Sequence, residues 1–110
     1  MGGMDIPEVE AAAVPEDAFL LDVREPDEWR AGHAPDAIHI PLGEVPQRLG
    51  ELPADRPVYV ICRSGHRSAQ VTVWLNHIGW QAANVAGGMY AWSAAGRPMT
   101  SDTTDAPYVA

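Results

Sequence analysis

The sequence offers little that could cross-link the chain, anchor it or attract a polyanion. It contains one cysteine in 110 residues, which excludes an intramolecular disulfide framework and gives no reason to expect an oxidising compartment. No segment approaches the roughly 18 apolar residues that a membrane span needs, and the start, MGGMDIPEVE, lacks the pattern of a secretory signal. We therefore expect a soluble, cytoplasmic protein that does not associate with a membrane.

Positive charge is also scarce. All seven basic residues are arginine, and they face fifteen acidic residues for a net charge of −8. Such a chain would be repelled in general by a nucleic-acid backbone or by an anionic membrane surface. Nucleic acid is therefore not an expected partner.

Short apolar runs alternate with helical patterns along the chain. The runs AFLLDV at 18–23 and PVYVIC at 57–62 are typical of buried strands, and weaker ones lie at 37–40 and 82–86. Predicted helices cover residues from 26 to the glycine at 32, then 42–49, 67–78 and 89–95. Since strands and helices alternate, the sequence predicts one α/β domain with a mainly parallel sheet.

The only cysteine, Cys62, lies at the end of an apolar run and is followed by RSGHRS. Ligands of parallel sheets bind beyond the carboxyl ends of the strands, where loops lead into helices. Backbone N–H groups of such a loop can curl around a sulfur atom, and Gly65 permits the backbone angles that a curl needs. We expect hydrogen bonds and charges from Arg63, Arg67 and His66 to help the helix terminus lower the pKa of the thiol.

The same cationic loop would bind a small oxyanion in front of the sulfur. The simpler alternative is that Cys62 is a small core residue ending a strand, with Arg63 and Arg67 solvated or paired on a helix face. A core thiol has no need of a glycine and two arginines beside it. The neighbours therefore favour a reactive cysteine.

Four segments resemble the rhodanese, or thiosulfate sulfurtransferase, family of small single-domain proteins. They are LLDVREPDEW at 20–29, GHAPDAIHIPL at 32–42, CRSGHRS at 62–68 and VAGGMYAWSAAGRP at 85–98. The resemblance implies a three-layer α/β fold, with a central, mainly parallel five-stranded sheet flanked by helices. The predicted domain covers residues 5–99, from Asp5 to Met99, and a tail at 100–110 is expected to be loosely ordered or docked on it.

The resemblance also implies a chemistry. Cys62 would take a sulfane sulfur from an anionic donor such as thiosulfate, hold it as a persulfide, and pass it to cyanide, a thiol or a protein. The residues implied to cradle the outer sulfur and the donor anion are Arg63, Ser64, Gly65, His66, Arg67 and Ser68.

Other residues match motifs of the family with supporting roles. Asp22 and Arg24 match a strand-end pair, which we expect to brace the loop or to pair with Arg67. The motifs that contain His33, Gly87–Gly88 and Trp92 are interpreted as structural. No cofactor is implied, and no metal is expected, because the four histidines offer no pair at helical spacing and there is one thiol.

Two alternatives remain open. Cysteine-dependent phosphatases use similar loops with a longer spacing between cysteine and arginine, whereas four residues separate Cys62 from Arg67 here. Arsenate reductases usually need resolving thiols that this chain lacks. The second alternative is a non-catalytic binding or regulatory module of the rhodanese type, whose usual mark is loss of the cysteine.

Overall fold

A computed structural model describes residues 6–110 of the chain; Asp5, where the predicted domain begins, lies outside the described residues. Five strands form one sheet in the order β1-β5-β4-β2-β3, and their described pairings are all parallel. The predicted α/β fold with a central five-stranded parallel sheet is confirmed. The elements are β1 Glu8–Glu10, β2 Phe19–Asp22, α1 Pro26–Ala31, β3 Ile38–His39, β4 Val58–Ile61, α2 His66–His77, β5 Ala82–Ala86 and α3 Gly88–Ala94.

The sheet is buried on both faces, which explains why its central strands are continuous apolar runs. One face packs against α2 and contributes Leu21, Val58 and Val60 to a core shared with Val71 and Leu75. The opposite face packs against α3 through a second core, which includes Leu20, Ile61, Val85, Met89 and Trp92. The result is three layers, with β4 in the middle of the sheet.

Two parts of the fold differ from the sequence prediction. Strand β1 was not predicted, because its sequence EVE is short and has one apolar residue between two acids, and its register becomes visible only beside β5. The helix predicted at 42–49 is a pair of 3₁₀ segments, Leu42–Gln47 and Leu49–Glu51. Pro46 removes a backbone donor within the first segment, and nearby glycines disfavour an α-helix.

The C-terminal tail lies along the end of α1. Thr100 exchanges two backbone hydrogen bonds with His33, at 2.8 and 2.9 Å, and Tyr108 N–H donates to the Ala31 carbonyl at 3.1 Å. Gly32 makes this approach possible, because a Cβ there would lie 2.4 Å from the Tyr108 carbonyl oxygen. The tail therefore packs on the body of the protein.

Candidate active site

Cys62 directly follows β4, at the carboxyl end of the central strand. Its relative exposure is 1%, so the sulfur lies beneath the loop that leads into α2. Gly65 precedes the first residue of α2 and has a φ of +104°, in the left-handed region that favours glycine. This turn folds the chain back over the sulfur.

Three donors reach the Cys62 sulfur. The backbone N–H groups of Gly65 and Ser68 lie 3.1 and 3.4 Å from Sγ, and the Ser68 hydroxyl lies 3.2 Å from it. Ser68 is itself fully buried. Donors that converge on one sulfur favour its charged form, since a thiolate accepts hydrogen bonds better than a thiol.

The electrostatic balance at the sulfur follows from these contacts. Burial raises the pKa of the Cys62 thiol, but hydrogen bonds from the Ser68 side chain and from the backbone N–H groups of Ser68 and Gly65 outweigh it, so the pKa is lowered. From the sequence, arginine charges were expected to contribute to this effect. In the structure, donors of the loop and of Ser68 are the main cause.

Helix α3 holds the loop from the other side. The N–H of Met89 donates to the Cys62 carbonyl at 2.8 Å, and the N–H of Tyr90 donates to the Arg63 carbonyl at 3.1 Å. Gly88 allows this contact, because a Cβ there would lie 2.4 Å from the Cys62 carbonyl oxygen. The glycine pair at 87–88, interpreted from sequence as a turn and core packing, therefore also lets the start of α3 anchor the loop carbonyls.

Arg67 has a partner that the sequence argument missed. Its Nη1 and Nη2 atoms donate to the two carboxylate oxygens of Glu28 at 2.8 and 2.9 Å. The hydrogen bond from Arg67 lowers the pKa of Glu28 to about 2, although partial burial opposes this shift. Glu28 lies 39 positions away in sequence and also takes part in a capping box with Glu25 at the start of α1.

Asp22 and Arg24 were expected either to brace the loop or to pair with Arg67, and the pairing is wrong. Asp22 accepts hydrogen bonds from Nε and Nη2 of Arg24, at 3.0 and 2.8 Å, and both residues are fully buried. Arg24 Nη2 also donates to the Gly32 carbonyl at 2.7 Å. This pair therefore joins the end of β2 to the segment that follows α1.

The remaining loop side chains face outward. Arg63, Ser64 and His66 are exposed, and the Ser64 hydroxyl lies 3.3 Å from His66 Nδ1. The structure thus brings Gly65 and Ser68 onto the sulfur and leaves the other polar side chains at the rim.

Residues 6–110 contain no group of three or more His, Cys, Asp or Glu side chains able to hold a metal ion. Within the same part of the chain, no helix is both long and apolar enough to span a membrane.

Comparison with known proteins decides the family. The model of the rhodanese-like domain matches residues 7–95. The chain belongs to the rhodanese-like domain family. A sulfurtransferase of Allochromatium vinosum is 40% identical over 87 residues, which is 78% of this chain and 81% of that protein. YtwF of Bacillus subtilis is 39% identical over 101 residues, 86% of this chain and 98% of its own.

Solved structures agree with the rhodanese-like assignment. A rhodanese-related protein from Thermoplasma volcanium superimposes with a TM-score of 0.80 at 33% identity, over 86% of this chain and 97% of its own. A further relative by sequence, the thiosulfate sulfurtransferase GlpE of Pseudomonas syringae, is 32% identical over 89 residues, 79% of this chain and 84% of that protein. Together, the relatives support a sulfurtransferase activity of the rhodanese type.

Proposed function

We propose that this rhodanese-like domain transfers a sulfane sulfur from a small anionic donor to a thiophilic acceptor through a persulfide on Cys62. The observation that carries the proposal is the set of three hydrogen-bond donors on the Cys62 sulfur. They stabilise the thiolate, which is the nucleophilic form of cysteine. A thiol with a purely structural role in the core would not need them.

The reaction has two balanced halves. With thiosulfate as donor, the Cys62 thiolate attacks the outer sulfur, the S–S bond of the donor breaks, and sulfite leaves with its electron pair. The product is a cysteine persulfide anion, whose charge the loop donors can stabilise. An acceptor such as cyanide then attacks the outer sulfur of the persulfide. The S–S bond of the persulfide breaks, thiocyanate leaves, and the electron pair of that bond returns to Cys62 as the thiolate.

The donor anion is proposed to bind at the rim of the loop. Arg63, with exposed Ser64 and His66 beside it, presents a cation to solvent, whereas the fork of Arg67 already holds the Glu28 carboxylate. Arg63 and backbone N–H groups of the loop are therefore the preferred contacts to the donor. Arg67 contributes mainly by fixing the start of α2 to α1.

The acceptor is external in this proposal. Cys62 is the only cysteine of the chain, so no second thiol of the chain can attack the persulfide. A cellular thiol or a partner protein would take the sulfur. We infer that the reaction occurs in the cytoplasm, where a lone thiol stays reduced.

Steady-state kinetics tests the two-step scheme. With thiosulfate and cyanide varied together, we expect parallel double-reciprocal lines, because sulfite leaves before the acceptor binds. Intersecting lines would show that both substrates bind before any product leaves. An aryl phosphate serves as a control substrate, and its hydrolysis by Cys62 would indicate the phosphatase alternative instead.

A further inference from the structure

Asn84 lies in the middle of β5 and is 1% exposed. Its Nδ2 group donates two hydrogen bonds, to Glu8 Oε2 at 2.8 Å and to the Gly65 carbonyl at 3.2 Å. Both neighbours are acceptors only, so they fix which end of the amide is nitrogen. Asn84 Oδ1 is buried and has no hydrogen-bond partner in the described part of the chain.

These contacts place Asn84 directly behind the residue that turns the loop. Gly65 donates its N–H to the Cys62 sulfur at 3.1 Å, while its carbonyl accepts hydrogen bonds from Ala69 N–H and from Asn84. Hydrogen bonds at both its N–H and its carbonyl therefore fix Gly65, whose φ is +104°. Burying an amide oxygen that has no hydrogen bond costs free energy, and an apolar side chain at this position of the strand would avoid that cost. A role in fixing Gly65 accounts for it.

We propose that Asn84, oriented by Glu8, is a positioning residue that holds Gly65 so that its N–H points at the Cys62 sulfur. This inference rests on the proposed function only for its consequence in sulfur transfer. The orientation of the Gly65 N–H affects the ionisation of the Cys62 thiol, which can be measured without any sulfur donor.

None of the other charged or titratable groups on the loop and on the elements beside it bonds to Asn84, so we expect a change at position 84 to act on the thiol through Gly65. These groups are Asp22 and Arg24 at the end of β2, Glu25 and Glu28 at the start of α1, and Arg63, His66 and Arg67 on the loop and α2.

The test is the pH dependence of Cys62 alkylation by iodoacetamide, with thiolate absorbance as a second readout. For Asn84→Ala we expect the midpoint of the curve of alkylation rate against pH to move to higher pH. The rate at neutral pH should fall about tenfold, since the charge-assisted hydrogen bond from Gly65 N–H to the sulfur weakens. Asn76→Ala is the matched control. Asn76 also bridges α2 and β5, through Ala82, and its loss should lower Tm without moving the midpoint.

Glu8 gives a second test on an exposed residue. Glu8→Ala removes a negative charge, which alone would lower the thiol pKa, yet we expect the midpoint to rise because the Asn84 amide loses its anchor. Glu8→Gln keeps an acceptor and should leave the midpoint near that of the wild type.

An unchanged midpoint in folded Asn84→Ala would overturn the proposal. If that variant does not fold, Glu8→Ala decides, and a midpoint at or below the wild-type value overturns it. A shifted midpoint in a protein that gains no sulfur from any donor would support the positioning role while rejecting the proposed function, so the two failures are distinguishable.

Discussion

Helices α2 and α3 begin in the same way and yet serve opposite sides of one loop. Each starts after a glycine with a left-handed backbone, Gly65 before α2 and Gly87 before α3, and neither has a side-chain cap. Free N–H groups are therefore available at both starts. Such groups bind whatever acceptor faces them.

The acceptors differ. At α2 the N–H of Ser68 faces the Cys62 sulfur, whereas at α3 the N–H groups of Met89 and Tyr90 face the carbonyls of Cys62 and Arg63. One helix start donates to the Cys62 sulfur, and the other holds the backbone that carries that sulfur. A glycine turn at a helix start therefore does not identify a site until the facing atoms are known.

The largest effect is expected at the start of α3. In Gly88→Ala the new Cβ would lie 2.4 Å from the Cys62 carbonyl oxygen, at a φ of +56°. We expect the free energy of unfolding to fall by about 3 kcal/mol or more, as measured by urea denaturation. Gly96→Ala is the control, because its φ is +71° but the space around it is open, and about 1 kcal/mol is expected there. Equal losses of unfolding free energy in the two variants would mean that the close contact between Gly88 and the loop does not contribute to stability.

The next effect concerns the start of α2. Ser68→Ala removes the hydroxyl that lies 3.2 Å from the sulfur. We expect the alkylation rate of Cys62 at neutral pH to fall about tenfold and the midpoint to move to higher pH. In the wild type, the rise of the alkylation rate with pH should be centred below the ordinary cysteine pKa of about 8.5, because the pKa of Cys62 is lowered in the folded protein. A wild-type rise centred above that value contradicts the hydrogen-bond account.

A smaller effect separates the two arginines of the loop. Arg63→Ala should raise KM for thiosulfate several-fold with little change in kcat, because a rim cation acts on donor binding. Arg67→Ala should raise KM less and lower the stability instead, since it breaks the pair with Glu28. A larger rise in KM for Arg67→Ala than for Arg63→Ala would indicate that Arg67 is the main contact to the donor anion.

The Arg67–Glu28 pair also has a pH signature. Because the pKa of Glu28 is lowered to about 2 in the folded protein, the pair stabilises the fold above the ordinary carboxyl pKa of about 4.3. That stabilisation is lost as pH falls from about 4 towards 2. Comparing Tm between Glu28→Gln and the wild type across this range checks it, and the difference should shrink in acid.

The order of the main strands and helices could be predicted because buried parallel strands and glycine-ended helices have strong local signals. The position of Cys62 at a strand end followed from the same pattern. Local signals could not reveal the Arg67–Glu28 pair or the Asn84–Gly65 bond, because each joins segments distant in sequence. Strand β1 was missed for a related reason, since it is a strand only through its pairing with β5.

The most direct test of the central claim is the intact mass of the reduced protein after incubation with thiosulfate, with Cys62→Ser alongside. We expect a gain of one sulfur atom in the wild type, none in the variant, and removal of that sulfur by cyanide as thiocyanate. A wild type that gains no sulfur from thiosulfate, 3-mercaptopyruvate or polysulfide would contradict it and favour a non-catalytic binding module.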